Sequence, residues 1–176
     1  MGQARVVLVY DAPGVLNALR RLLRNAGYAV DTFADGPSAL EHMQDNPHHV
    51  VISDYKMPQM NGVEFLFEVK ARFPAVTRII LSGEADRDAV LASINVAEIS
   101  RFLTKPWHAA ELLETVAAAV AETKRNVEKS VALDEYKTRV DADYRRSQAL
   151  QDLESESPGI TAVNWSDDGT IVLEDS

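Results

Sequence analysis

The most informative part of this chain is residues 49–62, which read HVVISDYKMPQMNG. The apolar run at residues 50–52 is β-branched throughout and too short for a helix, so it predicts a buried strand of a parallel sheet. Asp54 follows this run, and the Met-Pro pair at 57–58 and the Asn-Gly pair at 61–62 predict a tight loop. Because ligands of open α/β sheets bind at the carboxyl ends of the strands, Asp54 stands where chemistry is expected. A solvated loop aspartate is the alternative interpretation.

Short apolar runs alternate with helical patterns along the first two thirds of the chain. Strands are predicted at residues 5–11, 28–33, 50–52, 76–81 and 98–103. Helices are predicted between them, including one at residues 85–94 before the last strand. This alternation predicts an α/β fold, a doubly wound parallel sheet of five strands with helices on both faces.

The ends of these predicted strands carry polar side chains that would meet at one edge of the sheet. They are two acids, a hydroxyl and an amine, namely Asp11, Asp54, Ser82 and Lys105. Paired carboxylates bind a hard cation such as Mg²⁺, while the hydroxyl donates to a phosphoryl oxygen and the ammonium neutralises its charge. A carboxylate can also act as a nucleophile and form an aspartyl phosphate. The strand ends therefore predict a site for phosphate and a cation.

These ordered motifs resemble the receiver domain of two-component response regulators over roughly residues 4–123. The resemblance implies the strand order 2-1-3-4-5. It also implies that Asp54 accepts a phosphoryl group from a sensor histidine kinase or a phosphotransfer protein, with Ser82 and Lys105 assisting. The implied Mg²⁺ ligands are Asp11, Asp54 and the backbone carbonyl of Lys56.

The same resemblance implies a switch in which Ser82 moves toward the phosphoryl group and the rotamer of Phe102 follows. The bond between Lys105 and Pro106 is implied to be cis. Such a protein is no enzyme beyond its own phosphoryl transfer and dephosphorylation, and it signals by protein–protein interaction with a downstream partner.

Two residues depart from the receiver pattern at the end of the first strand, where acids are usual. Tyr10 and Ala12 flank Asp11 there. Because a phenol is neutral near pH 7, the loss of carboxylates predicts weak Mg²⁺ binding and slow phosphorylation. The alternative is a degenerate receiver that acts as a phosphorylation-independent adaptor. A flavodoxin-like flavin or nucleotide enzyme would need a Gly-rich first loop, and residues 11–14, DAPG, do not form one.

The chain divides by composition into a receiver domain at residues 1–123 and two C-terminal segments. Residues 124–157 are polar and mixed in charge, and they predict a helical extension. Its sparse apolar stripe favours a homodimer through this helix over a simple solvated helix. Residues 158–176 predict a small β-hairpin or a flexible tail.

Composition restricts the partners and the location of the protein. The 176 residues include no cysteine and carry a net charge of −9, which argues against nucleic-acid binding. No apolar run is long enough to cross a membrane, and no signal peptide is recognisable, so a cytoplasmic location is expected. The four histidines, at 42, 48, 49 and 108, lack a metal-ligand spacing and predict no metal site.

Overall fold

The secondary structure alternates between strands and helices from Arg5 to the long final helix. A computed structural model describes residues 2–159, apart from the side chains of Ser93 and Val96. In chain order the elements are β1 (Arg5–Val9), α1 (Pro13–Asn25), β2 (Ala29–Phe33), α2 (Gly36–Asp45), β3 (Val50–Asp54), α3 (Gly62–Arg72), β4 (Thr77–Ser82), α4 (Arg87–Ala97), β5 (Arg101–Thr104) and α5 (Ala109–Glu156). The strands form one parallel sheet in the order β2-β1-β3-β4-β5, which confirms the predicted fold class and strand order.

The central strands of the sheet are buried on both faces. Alternate residues of each strand point to opposite sides, and each side belongs to a separate core cluster. In β1, Val6 and Leu8 belong to one core cluster, which also contains Leu112 of α5. Val7 and Val9 belong to the other cluster, which also contains Phe65 of α3. This two-sided burial explains why the strands read as continuous apolar runs.

Local signals in the sequence place the starts of the helices. Pro13 occupies the first turn of α1, where its missing N–H is not needed. The side chain of Asp35 accepts a hydrogen bond from the N–H of Ser38 at the start of α2. At the start of α3, Asn61 and Glu64 form a reciprocal capping box.

The predicted bounds of α4 and β5 differ from those in the structure. The helix predicted at residues 85–94 begins at Arg87, after a 3₁₀ turn at Glu84–Asp86, and runs to Ala97. The strand predicted to begin at residue 98 begins at Arg101. The strand begins later because Glu98 ends α4 in the left-handed conformation, with φ of 43°. The chain therefore turns at Glu98 before it becomes extended.

The chain divides into two compact units, Met1–Glu128 and Lys129–Ser176. The described part of the second unit contains the later turns of α5, whose side chains are almost all exposed. The predicted hairpin lies outside the described residues, apart from Pro158 and Gly159. Among residues 2–159, no helix is apolar enough over a sufficient length to cross a membrane.

Candidate functional site

The parallel sheet brings the polar strand ends to one edge. Asp54 ends β3 opposite Leu81 of β4, and Ser82 ends β4 opposite Thr104 of β5. The N–H of Lys105 donates to the carbonyl of Ser82 at 2.8 Å, which extends the strand ladder beyond β5. The peptide bond between Lys105 and Pro106 is cis, as the resemblance to receiver domains implied. Lys105 is thus held beside the ends of β3 and β4.

The central contact of this edge joins Asp54 and Lys105. The Nζ atom of Lys105 lies 2.6 Å from Oδ1 of Asp54, in a charge-assisted hydrogen bond. The Asp54 side chain is only 5% exposed, whereas that of Lys105 is 31% exposed, so the pair opens to solvent on the lysine side. The predicted nucleophile and the predicted ammonium therefore share one site.

Tyr10 contributes to the same site from the end of β1. The Lys105 ammonium lies 4.6 Å from the centre of the Tyr10 ring, within the range of a cation–π contact. The Tyr10 side chain is itself buried, with 6% of the residue exposed. Sequence reasoning identified Tyr10 only as a missing acid. Its role as a support for Lys105 was missed, because the chain itself does not show that the two side chains meet.

The electrostatics of the pair follow from its burial. Burial raises the pKa of Asp54, and the nearby charge of Asp11 adds to this effect, although the Lys105 ammonium and the Tyr55 N–H act against it. Burial lowers the pKa of Lys105, but its hydrogen bonds to Asp54 and Tyr10 outweigh burial and leave that pKa raised. Lys105 therefore stays an ammonium at neutral pH, and the buried carboxylate is destabilised in its charged form.

The raised pKa of Asp54 predicts how stability responds to pH. A folded-state pKa above the unfolded value means that the ionised carboxylate opposes folding, and that this penalty disappears as the pH falls through the raised pKa. In metal-free buffer, Asp54→Asn should therefore have a higher urea midpoint than the wild type near neutral pH, and the gap should close in acid. The exposed Asp141→Asn is the control and should stay within about 0.5 kcal/mol. A gap that widens in acid would contradict the prediction.

The loop after Asp54 is fixed by close packing at Gly62. The N–H of Gly62 donates to the carbonyl of Tyr55 at 2.8 Å. A Cβ atom at Gly62 would lie 2.2 Å from the carbonyl oxygen of Asp54, so only glycine fits here. Ser53 Oγ donates to the same carbonyl oxygen at 2.9 Å. The backbone of the predicted nucleophile is thus held tightly from two sides.

The other predicted site residues lie on or just after the strands β1, β3, β4 and β5. Asp11 is exposed and close enough to Asp54 to affect its pKa. The Lys56 ammonium is paired with Asp86, 3.1 Å from its Oδ1 atom. Ser82 is fully buried, and its Oγ atom donates to the carbonyl of Gly83 at 3.2 Å. Phe102 is half-buried against the core cluster that contains Phe65.

Comparison with known proteins shows which family and which proteins this chain is similar to. Residues 6–117 match the family model of the response regulator receiver domain. The hydrogenase transcriptional regulatory protein HoxA of Cupriavidus necator is 37% identical over 118 residues, which make up 67% of this chain and 24% of that protein. The sensor kinase CckA of Brucella abortus is 35% identical over 117 residues, which make up 65% of this chain and 12% of that protein.

A solved structure agrees with these sequence matches. The signal receiver domain of an HD domain-containing protein from Pseudomonas fluorescens Pf-5 is 30% identical, with a TM-score of 0.69. The match covers 73% of this chain and 94% of that one. By contrast, the chain spans only about a quarter of the HoxA and NtrC regulators that it matches.

Proposed function

Because the chain belongs to the receiver domain family of response regulators, we propose that it is a cytoplasmic receiver that accepts a phosphoryl group on Asp54. The donor is a sensor histidine kinase or a phosphotransfer protein. The observation that carries this proposal is the 2.6 Å contact between Lys105 Nζ and Asp54 Oδ1 at the carboxyl ends of the strands. The protein catalyses only its own phosphoryl transfer and dephosphorylation, and it signals by binding a downstream protein.

The residues at this edge suit an in-line transfer. A carboxylate oxygen of Asp54 attacks the phosphorus, and the bond from phosphorus to the donor's histidine nitrogen breaks with its electron pair remaining on the imidazole. Lys105, now paired with the carboxylate, then contacts a phosphoryl oxygen and neutralises its charge. The ring of Tyr10 supports the ammonium through the cation–π contact.

Receiver domains generally bind Mg²⁺, and the donor set here fits a hard cation. Asp11 and Asp54 are close enough to interact electrostatically, and the carbonyl of Lys56 lies two residues after Asp54. These three oxygen donors would hold Mg²⁺, which keeps several waters in such sites. When bound, the ion neutralises charge on the phosphoryl oxygens. Tyr10 and Ala12 supply no further carboxylate, which favours weak binding.

The transfer is tested by intact mass after incubation with acetyl phosphate and Mg²⁺. The wild type should gain one phosphoryl group, and Asp54→Ala should gain none. An adduct that survives in Asp54→Ala would refute the site assignment. An unmodified wild type would instead favour the phosphorylation-independent adaptor, the alternative that the missing acids at positions 10 and 12 support.

The weak metal site makes a separate prediction about Tyr10. Tyr10→Asp adds a carboxylate beside Asp11, so Mg²⁺ affinity should rise by about tenfold. Isothermal titration measures this directly, and Tyr10→Phe is the control because it keeps the ring and adds no charge. An unchanged affinity in Tyr10→Asp would contradict the view that position 10 limits the metal site.

We infer that phosphorylation is transmitted through Ser82 and Phe102 to the face formed by α4, β4 and the first turns of α5. Ser82 Oγ must leave its 3.2 Å bond to the Gly83 carbonyl to reach the phosphoryl group. Phe102 lies on the neighbouring strand β5 and is only partly buried, so its rotamer is free to change with this movement. A population shift of this kind needs no new fold, only different affinities of the two states for the partner.

We also infer a homodimer through the later turns of α5. Seven large apolar side chains of that segment are 46–65% exposed: Val131, Leu133, Tyr136, Val140, Tyr144, Leu150 and Leu153. A helix with so little buried surface is marginally stable alone, and a second copy would cover this stripe. Light scattering of the full chain should give the mass of a dimer, and a monomer mass at high concentration would contradict it.

A further inference from the structure

A cluster of two histidines and one acid lies away from the Asp54 site. Asp31 lies in β2, His42 in the last turn of α2, and His48 two residues before β3. Nε2 of His48 lies 2.8 Å from Oδ2 of Asp31, and Nε2 of His42 lies 3.5 Å from the same oxygen. His48 precedes β3 whereas Asp54 ends it, so the cluster and the candidate phosphorylation site flank opposite ends of one strand.

The cluster is held in place by its surroundings. The His48 side chain is fully buried, and the His42 ring packs between Phe33, at 5.1 Å, and His48, at 5.5 Å. The Nε2 atom of His42 and the Nδ1 atom of His48 are both buried, and neither has a hydrogen-bond partner. Buried polar atoms are nearly always paired in folded proteins, so an unpaired imidazole nitrogen facing a carboxylate calls for an explanation.

We propose that Asp31, His42 and His48 form a binding site for a transition-metal dication of the zinc class. Among the described residues, they are the one group of three such side chains whose ligand atoms all lie within 4.8 Å of one another. Ligand bonds near 2.1 Å place the donors of a tetrahedral site about 3.4 Å apart, which requires only small side-chain shifts here. Water would supply the fourth ligand.

The donor set selects the kind of metal. Two imidazoles with one carboxylate suit Zn²⁺, Co²⁺, Ni²⁺ or Cu²⁺, whereas Mg²⁺ and Ca²⁺ prefer oxygen ligands alone. On coordination the proton that His48 Nε2 shares with Asp31 moves to Nδ1 or to solvent, which leaves a neutral imidazole ligand. The metal would tie β2, α2 and the segment before β3 together.

Arg5 contacts the carboxylate of this site and affects its affinity for a cation. Its Nη2 atom donates to Asp31 Oδ2 at 2.8 Å, so the guanidinium orients the carboxylate as an outer-shell partner. Its positive charge also opposes an incoming cation. We therefore expect moderate rather than very tight affinity, and a site that responds to changes in available metal.

The test uses the full chain after treatment with a chelator, in buffer containing Mg²⁺ to supply the hard-cation site. Titration calorimetry with Zn²⁺ should show one saturable equivalent, and Co²⁺ should give visible absorption bands of a coordinated ion. His42→Ala should weaken Zn²⁺ binding by about tenfold or more. His108→Ala, which removes an exposed histidine, is the matched control and should bind as the wild type does.

Two further variants keep the test decisive. Because His48 is buried and its variants could unfold, Asp31→Asn replaces it as the second ligand variant and should also lose binding. Asp54→Ala should retain full Zn²⁺ affinity, so failure of this proposal is distinguishable from failure of the proposed phosphorylation. The proposal is overturned if the wild type binds no Zn²⁺, or if His42→Ala and Asp31→Asn bind it as well as the wild type does.

Discussion

Gly62→Ala is expected to lose about 3 kcal/mol of stability and to be phosphorylated about 100-fold more slowly than the wild type. The added Cβ atom would lie 2.2 Å from the carbonyl oxygen of Asp54 and 3.0 Å from the Cα of Tyr55. Both neighbours are backbone atoms, so no side chain can rotate away to relieve the contact. The loop must move, and Asp54 moves with it.

A graded set of glycine variants separates crowding from the general effect of a methyl group. Gly14→Ala, where a Cβ meets nothing within 4 Å, is the control and should be neutral or slightly stabilising because it lies in a helix. Gly36→Ala meets the side chain of Phe65 at 3.0 Å and should lie between the two. Urea unfolding and the rate of labelling by acetyl phosphate measure the series. Equal stability of Gly62→Ala and Gly14→Ala would contradict the steric argument.

The fold was predictable because its strongest signals are local. Continuous β-branched runs predict buried parallel strands, and Pro13 is typical of the first turn of a helix. The location of the site could be predicted from the topology, since the carboxyl ends of parallel strands meet at one edge of the sheet. In the structure, Nζ of Lys105 lies 2.6 Å from Oδ1 of Asp54 at this edge.

The features that were missed depend on contacts between residues far apart in the chain. Asp31, His42 and His48 have no recognisable metal-ligand spacing, and only the packing of α2 on the sheet brings them together. The start of β5 was missed for a similar reason. Apolar periodicity does not reveal that Glu98 adopts a left-handed conformation, and the group that donates to its carbonyl oxygen lies 20 residues earlier in the chain.

That group is Arg78, which lies in β4 and is 5% exposed. Its guanidinium donates to the carbonyl oxygens of Ala97 at 3.2 Å, Glu98 at 3.0 Å and Val76 at 2.7 Å. Two of these acceptors close the end of α4, where the helix has no further N–H donors of its own. Arg78 therefore joins β4 to the end of α4, beside the face that we infer transmits phosphorylation.

Arg78→Met is expected to cost on the order of 3 kcal/mol or more, because it leaves three carbonyl groups without the donor that satisfies them. Arg78→Lys should recover only part of this loss, since one ammonium cannot reach all three acceptors as a planar guanidinium does. Arg21→Met, on the exposed face of α1, is the control and should change stability by no more than about 0.5 kcal/mol. Urea unfolding measures the three variants, and amide hydrogen exchange at residues 97–100 shows whether the end of α4 opens first. If Arg78→Met were as stable as Arg21→Met, the guanidinium of Arg78 would not stabilise the fold. The end of α4 at Glu98 would then be held by other interactions.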